Sequence, residues 1–436
     1  MRVWLITIGE PLPTDSKSPR LLRTGLLGQA LAQRGHDVLW WSSSFDHTKK
    51  RQRSEGNAVL PLGENYRLQL LRGRDYERNV SLARLANHRE VAAEFRKLAP
   101  QEPTPDVILC SFPTIELSAA ATEYGQKNNV PVVLDVRDMW PDIFVDLAPR
   151  GTRPLARLGL ASMFRQTRNC CRRATAITGH APGFVQWGLQ HGGRTAGPFD
   201  RDFPFGYNDA QPAAAEVEAA DRFWKQRGIG VDPGVPVVCF FGALGKQFVM
   251  EPVIRAFGRV NKTRKVQLVI CGQGDRLPAY RSLAADHPSI HFPGWVESPQ
   301  IWTLMRRCRL AIAPYQNSPD FQSSIPNKAI EYMSGGLPIV SSLTAGVLND
   351  LLIEHDCGIS YGGDEDRLVV AVEKLLDTPD RINTMSTNAS RLFRERFRAS
   401  VVYHQMSDYL EEIAAHHRRE TEHPAARQLA TAAASS

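Results

Sequence analysis

The sequence predicts an α/β protein with two Rossmann-like domains, and three observations support this prediction. Short apolar runs rich in β-branched residues alternate with segments of helical periodicity, which is typical of a parallel sheet covered by helices. This alternation stops between about residues 198 and 236, where Gly, Pro, Asp and Ala dominate, and then resumes. At 436 residues, the chain also exceeds the ~100–200 residues of one ordinary domain.

Five strands are predicted in each half of the chain, and a helix over residues 21–34 separates the first two. The strands of the first half are residues 3–8, 36–41, 106–110, 131–136 and 174–178. Those of the second half are residues 237–241, 266–271, 290–292, 310–314 and 338–341, with a helix near residues 251–260 after the first of them. Late helices are predicted over residues 366–376 and 381–415.

The predicted domains are residues 1–205 and 206–395, followed by a helix over residues 396–415 that we expect to return to the first domain. Residues 416–436 lack an apolar stripe and are predicted to be a disordered tail. Ligands of parallel sheets bind at the carboxyl ends of the strands. A ligand that faces both domains would therefore lie in a central cleft between them.

The composition is that of a globular protein with substantial cores, at 42% apolar and 23% charged residues. No run approaches the 18 or so apolar residues of a membrane span, and the N-terminal segment is interpreted as a first strand rather than a secretory signal. We therefore expect a cytoplasmic protein. Seven cysteines are scattered without zinc-like spacing, and all are interpreted as reduced structural thiols.

The basic excess belongs to the first half of the chain. Residues 1–200 hold 27 Lys and Arg against 19 Asp and Glu, whereas residues 201–436 hold 26 against 27. This asymmetry indicates a polyanionic partner for the first half, which could be anionic lipid, a phosphorylated glycan or nucleic acid.

A basic, amphipathic segment spans residues 150–173, which contain seven arginines and no acidic residue. Its apolar side chains are Leu155, Leu158, Leu160, Met163 and Phe164. Such a segment can lie on an anionic membrane surface. The alternative is a helix that packs on the core with a solvated basic side.

Residues 325–342 carry the most specific site prediction. A Pro-Asn-Lys turn with Asn327 and Lys328 enters a short helix that contains Glu331 and ends at the glycine pair 335–336. A cation and the positive end of a helix beside one carboxylate suit a nucleotide diphosphate, because the carboxylate can accept hydrogen bonds from ribose. The alternative is an ordinary helix with a glycine C-cap before a strand.

Three further turns follow predicted strands in the second half. The first contains Gly245 and Lys246, where the backbone can approach a phosphate and the ammonium can reach it. The second contains Gly272 and Gly274, and the third contains Trp295, which could cover a base. Each can equally be a simple strand-to-helix turn, and an indole there can simply pack.

In the first half, two candidate segments follow strands. Gly9 ends the first strand and is the expected first-domain side of the cleft. Asp135 lies near the end of another predicted strand and Arg137 and Asp138 follow it; these residues can contact substrate or form a local ion pair. No Asp-x-Asp motif lies at a predicted strand end, where it would suit Mg²⁺ ligation, so no metal site is predicted.

Taken together and in this order, these segments resemble the retaining glycosyltransferases of family 4, which have the GT-B fold. The similarity covers roughly residues 1–415 and is to the branch that makes bacterial surface polysaccharides, including O-antigen and capsule. The segments that carry it are residues 9–13, 34–41, 43–51, 135–141 and 326–328, with the second-half turns.

The resemblance implies roles for particular residues. Gly245 and Lys246 match the turn at the donor pyrophosphate, Trp295 and Val296 match the contact with the base, and Glu331 matches the ribose-binding glutamate. Further donor-binding candidates are Gly9, Gly272, Gly274, Asn327 and Lys328. The catalytic candidates are Arg137, Asp138 and Lys246.

The chain departs from the family pattern at four positions. Ser323 stands where a second glutamate is usual, and Ala243 and Phe248 replace the usual Arg and Lys of a phosphate-binding pair. Arg137 stands where many members have a histidine. Lys246 and Lys328 are the residues that could replace the missing basic pair.

The resemblance implies transfer of a sugar from a nucleotide-sugar donor, with retention, to a glycan or polyprenyl-linked glycan acceptor. It implies no metal or other cofactor, and a location at the inner face of the cell membrane. The alternatives are a GT-B sugar-nucleotide 2-epimerase and a catalytically inactive GT-B partner subunit. A nucleic-acid-binding protein is disfavoured because aromatic residues do not alternate with the arginines.

Overall fold

The computed structural model describes residues 1–16, 21–79 and 81–422, with only the backbone at 319–320. Contacts divide the chain into two units. The first contains Met1–Pro204 and the chain from Val402 onward, and the second contains Phe205–Val401. The first division lies next to the residue-205 boundary expected from the sequence.

The first unit is built on an eight-stranded sheet with the order β10-β9-β8-β7-β1-β2-β6-β5. All neighbours are parallel except β5, which pairs antiparallel with β6 at one edge. Its strands are β1 (Arg2–Ile6), β2 (Asp37–Ser43), β5 (Ala58–Pro61), β6 (Tyr66–Leu71), β7 (Val107–Phe112), β8 (Val132–Val136), β9 (Ala176–Gly179) and β10 (Arg201–Asp202). A separate two-stranded ribbon pairs β3 (Phe45–Asp46) with β4 (Arg51–Gln52).

The sequence prediction missed β5, β6 and the ribbon. Polar residues interrupt β6 at Arg67 and Gln69, and β5 is a half-exposed edge strand that ends at Pro61. Neither segment therefore shows the apolar run on which the other strands were predicted.

Helices surround this sheet. They are α1 (Arg23–Gln33), α2 (Leu82–Leu98), α3 (Ile115–Asn128), α4 (Asp142–Asp146), α5 (Arg153–Gly159), α6 (Ala161–Arg173) and α7 (Pro182–Gly192). Short 3₁₀ turns lie at Ala99–Gln101 and Arg150–Thr152. An aromatic cluster joins strands to helices, with the Trp4 and Trp41 rings 5.1 Å apart and the Trp41 and Phe95 rings 5.0 Å apart.

The C-terminal helix α17 spans Ala399–Glu422, and the chain from Val402 onward belongs to the first unit. The expected return of this helix to the first domain is therefore confirmed. The prediction of a tail from residue 416 is wrong for residues 416–422, which are helical. Tertiary contacts replace the missing apolar stripe there, since His417 Nε2 lies 2.8 Å from the Asn129 carbonyl and Arg418 lies 3.2 Å from Asp106. Residues 423–436 lie outside the described residues.

The second unit is built on a six-stranded, fully parallel sheet with the order β13-β12-β11-β14-β15-β16. Its strands are β11 (Val237–Phe241), β12 (Gln267–Cys271), β13 (Ile290–Gly294), β14 (Cys308–Ala313), β15 (Ile339–Ser341) and β16 (Gly358–Ser360). The short edge strand β16 was not predicted, because it contains a single large apolar residue, Ile359.

Helices of the second unit include one inside the expected linker. They are α8 (Ala214–Gln226), α9 (Glu251–Val260), α10 (Leu277–Leu283), α11 (Ser298–Met305), α12 (Pro319–Gln322), α13 (Asn327–Ser334), α14 (Val347–Glu354), α15 (Glu365–Leu376) and α16 (Pro379–Leu392), with a π turn at Phe393–Phe397. Trp224 anchors α8, because it is fully buried and its Nε1 donates to Thr303 Oγ1 at 3.0 Å.

Both sheets reverse their strand order at one point, between β1 and β7 in the first unit and between β11 and β14 in the second. Ligands of such sheets bind at these points, outside the carboxyl ends of the strands. The seven cysteines are free and buried, as expected. Within the described part of the chain, no helix is long and apolar enough to cross a membrane.

Candidate active site

The three glycine turns of the second unit meet at the carboxyl edge of its sheet. The amide of Gly242 donates to the Cys271 carbonyl at 2.9 Å, and that of Gly272 donates to the Gly294 carbonyl at 2.7 Å. Further along, the amide of Leu244 donates to the Gln273 carbonyl at 2.8 Å. The turns after β11, β12 and β13 therefore form one continuous backbone surface.

Glycine is required at two positions of this surface. Gly242 and Gly272 have φ values of +146° and +138°, which side-chain-bearing residues rarely adopt. A Cβ at Gly272 would overlap the Gly242 carbonyl, and a Cβ at Gly242 would overlap the Lys328 side chain. The absent side chain of Gly242 thus leaves the space that Lys328 occupies.

Lys328 reaches this edge from the first turn of α13. Its Nζ lies 5.1 Å from the centre of the Phe248 ring, a cation–π contact. Phe248 is buried, and its short β-bridge to Tyr315 joins the segments that follow β11 and β14. An ammonium therefore lies beside Phe248, the position where the family pattern has a lysine.

Glu331 lies one helical turn beyond Lys328, and its side chain is buried. Burial first, and then the negative charge of Glu331, raise the pKa of Tyr315 above its ordinary value. The carboxylate is therefore close to this phenol. The structure thus brings Lys328, Glu331 and the glycine surface together at the carboxyl ends of β11 and β14.

Other predicted donor residues lie at the rim of this edge. Lys246 is exposed in the segment after β11, next to half-buried Gly245, and Asn327 is exposed at the start of α13. Trp295 is 60% exposed and its Nε1 donates to Glu297 Oε1 at 2.9 Å, whereas Val296 is buried. Trp295 therefore presents an open face beside β13.

In the first unit, a cluster of buried charged residues lies around the end of β8. Asp135 at the end of β8 accepts from Arg23 at 2.9 Å and 3.0 Å, and from Arg137 Nε at 2.8 Å. Arg137 also pairs with Glu10, which accepts from the Thr24 amide at 3.1 Å. These five residues define the strand-end network.

Within the strand-end network, the pKa values of Asp135 and Arg137 are shifted in favour of their charged forms. Burial alone would raise the pKa of Asp135, but the guanidinium groups of Arg23 and Arg137 hold it well below its usual range. Burial lowers the pKa of Arg137 in turn, yet Glu10 and Asp135 raise it above its ordinary value. Arg137 is therefore a fixed cation, and the local ion pair suggested by the sequence is present.

Asp138 holds the indole of Trp140 in place. Its carboxylate accepts from the Met139 amide at 2.9 Å and from Trp140 Nε1 at 3.0 Å. The Arg84 guanidinium lies 4.9 Å over the Trp140 ring. Asp138 therefore acts, through Trp140, on a pocket that this ring lines.

This pocket, the switch-point pocket, lies at the carboxyl ends of β1, β2 and β7 and has a volume of about 210 Å³. Its aromatic rings come from Phe45, His47, Tyr76, His88 and Trp140. Gly9 contributes exposed backbone with a φ of +88°. The predicted first-domain candidates thus reach the pocket in two ways, directly through Gly9 and indirectly through Asp138.

Sequence reasoning missed Tyr76, Arg84, Asn87 and His88, which line the switch-point pocket. The last three lie on α2, where Ser81 caps the N-terminus by accepting from the Arg84 amide. The buried face of α2 begins with Asn87 and His88 before Val91 and Phe95, so it lacks a continuous apolar stripe. Two adjacent buried polar residues are the signal that only the structure reveals.

The basic segment of residues 150–173 forms α5 and α6. No residue of α5 is buried, and Leu155 and Leu158 are 70% and 73% exposed, next to Leu147 at 75%. Phe164, predicted as apolar surface, is instead buried in α6, with the Arg157 guanidinium over its ring at 4.7 Å. The exposed apolar surface is therefore confined to the three leucines.

Across residues 1–16, 21–79 and 81–422, no group of three or more His, Cys, Asp or Glu side chains could hold a metal ion.

Comparison with known proteins gives one family match. Residues 235–378 match the family described as Glycosyl transferases group 1, which places the match on β11 to α15 and on the site of Lys328 and Glu331. The chain is also similar to the uncharacterized glycosyltransferase MJ1607 of Methanocaldococcus jannaschii, with 25% identity over 177 residues. That alignment covers 39% of this chain and 44% of the archaeal protein, so the chain matches less than half of its relative.

Solved structures match almost the whole chain. Sucrose-phosphate synthase of Thermosynechococcus elongatus superposes with a TM-score of 0.67 at 16% identity, over 95% of this chain and 99% of that one. HepE of Anabaena in complex with UDP gives 0.65 at 16% identity, over 94% and 100%. At these identities the likeness concerns the fold alone. The predicted GT-B fold is confirmed, and within it residues 235–378 carry the glycosyl transferases group 1 match that supports the predicted glycosyltransferase.

Proposed function

We propose that this protein is a retaining glycosyltransferase that moves a sugar from a nucleotide-sugar donor to a glycan or polyprenyl-linked glycan. We place its reaction in the synthesis of bacterial surface polysaccharide. The observation that carries the proposal is the position of Lys328, whose side chain occupies the space left by Gly242 within the family-matched domain.

The proposed sugar transfer requires that the negative charge on the departing diphosphate be stabilised. Preplaced donors and cations aimed at developing negative charge commonly supply the largest part of such catalysis. Lys328 and the first amides of α13 take this role, and exposed Lys246 provides a second, mobile cation. The positive charges come from protein side chains, so we propose that no metal or other cofactor is needed.

Glu331 is the proposed ribose-binding residue. It projects from the same helix as Lys328, so one rigid element positions both a cation for phosphate and a carboxylate for sugar hydroxyls. Gly272 and Gly274 let the neighbouring turns pack backbone to backbone. Trp295 and Val296 are the proposed contacts of the base. HepE binds UDP and UDP-glucose, which makes a UDP-sugar the first donor to test.

The acceptor is assigned to the first unit, where the basic excess lies. Leu147, Leu155 and Leu158 form an exposed apolar surface among the arginines of α5 and α6. Each basic residue near an anionic bilayer contributes about 1 kcal/mol, and the leucines add apolar burial. We propose that this surface holds the protein at the inner face of the membrane, close to lipid-linked acceptors.

Vesicle binding tests the membrane proposal. The protein should bind phosphatidylglycerol vesicles at low salt, leave them at high salt, and ignore phosphatidylcholine vesicles. Replacing Leu155 and Leu158 with serine should weaken binding, whereas Ile353→Ser, a matched change at an exposed apolar residue of the second unit, should not. Binding that is absent or insensitive to salt would contradict the proposal.

Release of nucleoside diphosphate tests the function itself. Purified protein is incubated with a panel of UDP-, GDP- and ADP-sugars and bacterial lipid extract, with Glu331→Ala as the control. Acceptor-dependent release from one donor, lost in the variant, is the expected result. Interconversion of a nucleotide sugar without acceptor would indicate a 2-epimerase. A folded protein that binds a nucleotide but releases nothing with any acceptor would indicate an inactive partner subunit.

A further inference from the structure

The switch-point pocket of the first unit is a built binding site with one charged side chain. Its volume of about 210 Å³ is far above the ~10–15 Å³ that a single water requires, so it can hold a ring-sized group. Among the residues that line it, Arg84 alone carries a formal charge, and none is a carboxylate. The pocket is therefore electropositive at one defined place.

The Arg84 guanidinium has donors left for a ligand. It lies over the Trp140 ring, its Nη1 donates to the Asn79 carbonyl at 2.7 Å, and its Nε donates to His88 Nε2 at 3.4 Å. In the described part of the chain, no carboxylate lies within ion-pair distance of Arg84. Since a guanidinium has five N–H groups in a planar fork, several remain for a bidentate anion.

Neighbouring groups report the same positive potential. Burial lowers the pKa of His47, and the charges of Arg84 and Lys50 lower it further. Lys50 lies 4.8 Å over the Tyr76 ring, whose hydroxyl is 2.7 Å from His47 Nδ1. These contacts place a second cation close to the wall of the pocket.

The rest of the lining suits a sugar ring. Phe45, Tyr76 and Trp140 supply aromatic surface, and Ser43, Asn87 and Thr114 supply hydroxyl and amide groups. Sites for small ligands commonly combine such apolar walls with a few placed polar groups. Buried His88 also lines the pocket, and its Nδ1 lies 3.9 Å from Glu116 Oε2, beyond hydrogen-bond distance.

We propose that the switch-point pocket binds an anionic sugar, a ring that carries a phosphate or a carboxylate, and that Arg84 recognises the charge. Given the proposed function, on which this step rests, the bound ring is the accepting sugar. The charge could come from a phosphate at the anomeric carbon, as in a lipid-linked sugar, from a phosphate elsewhere on the ring, or from a uronic acid.

Direct binding to the full chain, without any nucleotide sugar, tests this inference separately from the transfer reaction. The probes are glucose 1-phosphate, glucose 6-phosphate and glucuronate, with uncharged glucose as the reference, and titration calorimetry measures their affinities. At least one anionic probe should bind tenfold or more tightly than glucose. The preferred probe identifies the position of the charge.

Four variants locate the binding. Arg84→Gln should reduce the affinity of the preferred probe to within twofold of glucose, and Arg84→Lys should retain part of the preference. Arg96→Gln is the matched control, because Arg96 is an exposed arginine of the same helix that pairs with Glu123. Lys328→Ala should leave binding unchanged. If the probe bound through its phosphate at the second unit, this variant would lose the binding.

Several results would overturn the inference. They are equal affinity for glucose and all anionic probes, no binding of any anionic probe at millimolar concentration, full preference in Arg84→Gln, and loss of binding in Lys328→Ala. Thermal unfolding of each variant shows whether it is folded. If Arg84→Gln is not folded, the affinities of Arg84→Lys and of the wild-type protein for the anionic probes and glucose still decide the question. If the protein binds the anionic probe but transfers no sugar, only the proposed function is contradicted.

Discussion

The carboxyl ends of the strands differ in chemistry between the two sheets. In the second unit, glycines form the sheet edge. Backbone packs directly against Gly272, space is open beside Gly294, and Lys328 of α13 occupies the space beside Gly242. In the first unit, the strand-end network of buried charges surrounds Asp135 at the end of β8. An open edge suits a ligand bound through backbone and phosphate, whereas a filled edge supports a pocket lined by side chains.

Breaking the strand-end network should have the largest effect on stability. Arg23 and Asp135 are 1% and 0% exposed, so Asp135→Asn leaves the buried Arg23 guanidinium without its carboxylate partner. It also removes one of the two carboxylates that pair with Arg137. We expect the free energy of unfolding to fall by about 3–5 kcal/mol. Chemical denaturation followed by tryptophan fluorescence measures the change.

The control for that prediction is Glu123→Gln, which breaks the exposed pair with Arg96 in the same unit. Exposed pairs of this kind contribute about 0–1 kcal/mol. A loss below 1 kcal/mol for Asp135→Asn as well would show that the network is not a structural support, and the contrast between the two edges would fail.

Filling the open edge of the second unit should affect activity more than stability. In Gly242→Ala the new methyl group would overlap Lys328 and displace it. Removal of one preplaced donor typically costs 10²–10³-fold in kcat, so we expect a loss of about 10²-fold in nucleoside diphosphate release.

Gly228→Ala is the matched variant, since Gly228 also has a positive φ, +67°, but a Cβ there would meet nothing within 4 Å. Both variants place a side chain at a positive φ, so both should lose stability from backbone strain. If Gly228→Ala lost as much activity as Gly242→Ala, strain rather than the displaced lysine would explain the effect.

The pH dependence of unfolding should show a smaller effect, which arises from His88 beside the strand ends of the first unit. Burial, assisted by the charge of Arg84, lowers the pKa of His88 to about 3, against about 6.5 in an unfolded chain. Below pH 6.5 His88 therefore takes up a proton in the unfolded chain but not in the folded protein. This uptake favours the unfolded chain, so the stability of the folded state falls as the pH drops below 6.5. Between pH 6.5 and 5 this residue should cost about 2 kcal/mol of stability.

His88→Gln removes that contribution, so the variant should lose about 2 kcal/mol less than wild type over the same pH interval. Urea unfolding at both pH values measures the difference, and the comparison of slopes does not depend on the stability of the variant at neutral pH. Equal slopes would mean that His88 takes up a proton in the folded protein as easily as in the unfolded one.

The two edges also differ in how far the sequence reveals them. The helix with Lys328 and Glu331 and the three glycine turns are local patterns, and the structure brings all of them to one edge. Strands such as β11 were predictable because they are buried on both faces and appear as unbroken apolar runs.

The pocket of the first unit could not be predicted in this way. Tyr76, Arg84 and Trp140 are far apart in the chain, and they meet only because β1, β2 and β7 end side by side. The polar residues of α2 that face the pocket also interrupt the apolar stripe by which an amphipathic helix is recognised. A pocket lined by side chains from distant parts of the chain therefore has no local sequence pattern, and its polar residues also make the helix that carries them harder to predict.

The central claim is that Lys328 binds the diphosphate of a nucleotide. Titration calorimetry with UDP, GDP and ADP, and with the nucleoside of the tightest binder, tests it most directly. In Lys328→Ala the affinity for that diphosphate should fall at least tenfold while the affinity for the nucleoside stays the same. Lys265→Ala, which removes an exposed lysine at the amino end of β12, should change neither. If Lys328→Ala bound the diphosphate as tightly as wild type, or lost the nucleoside equally, the assignment of this edge as the donor site would be contradicted.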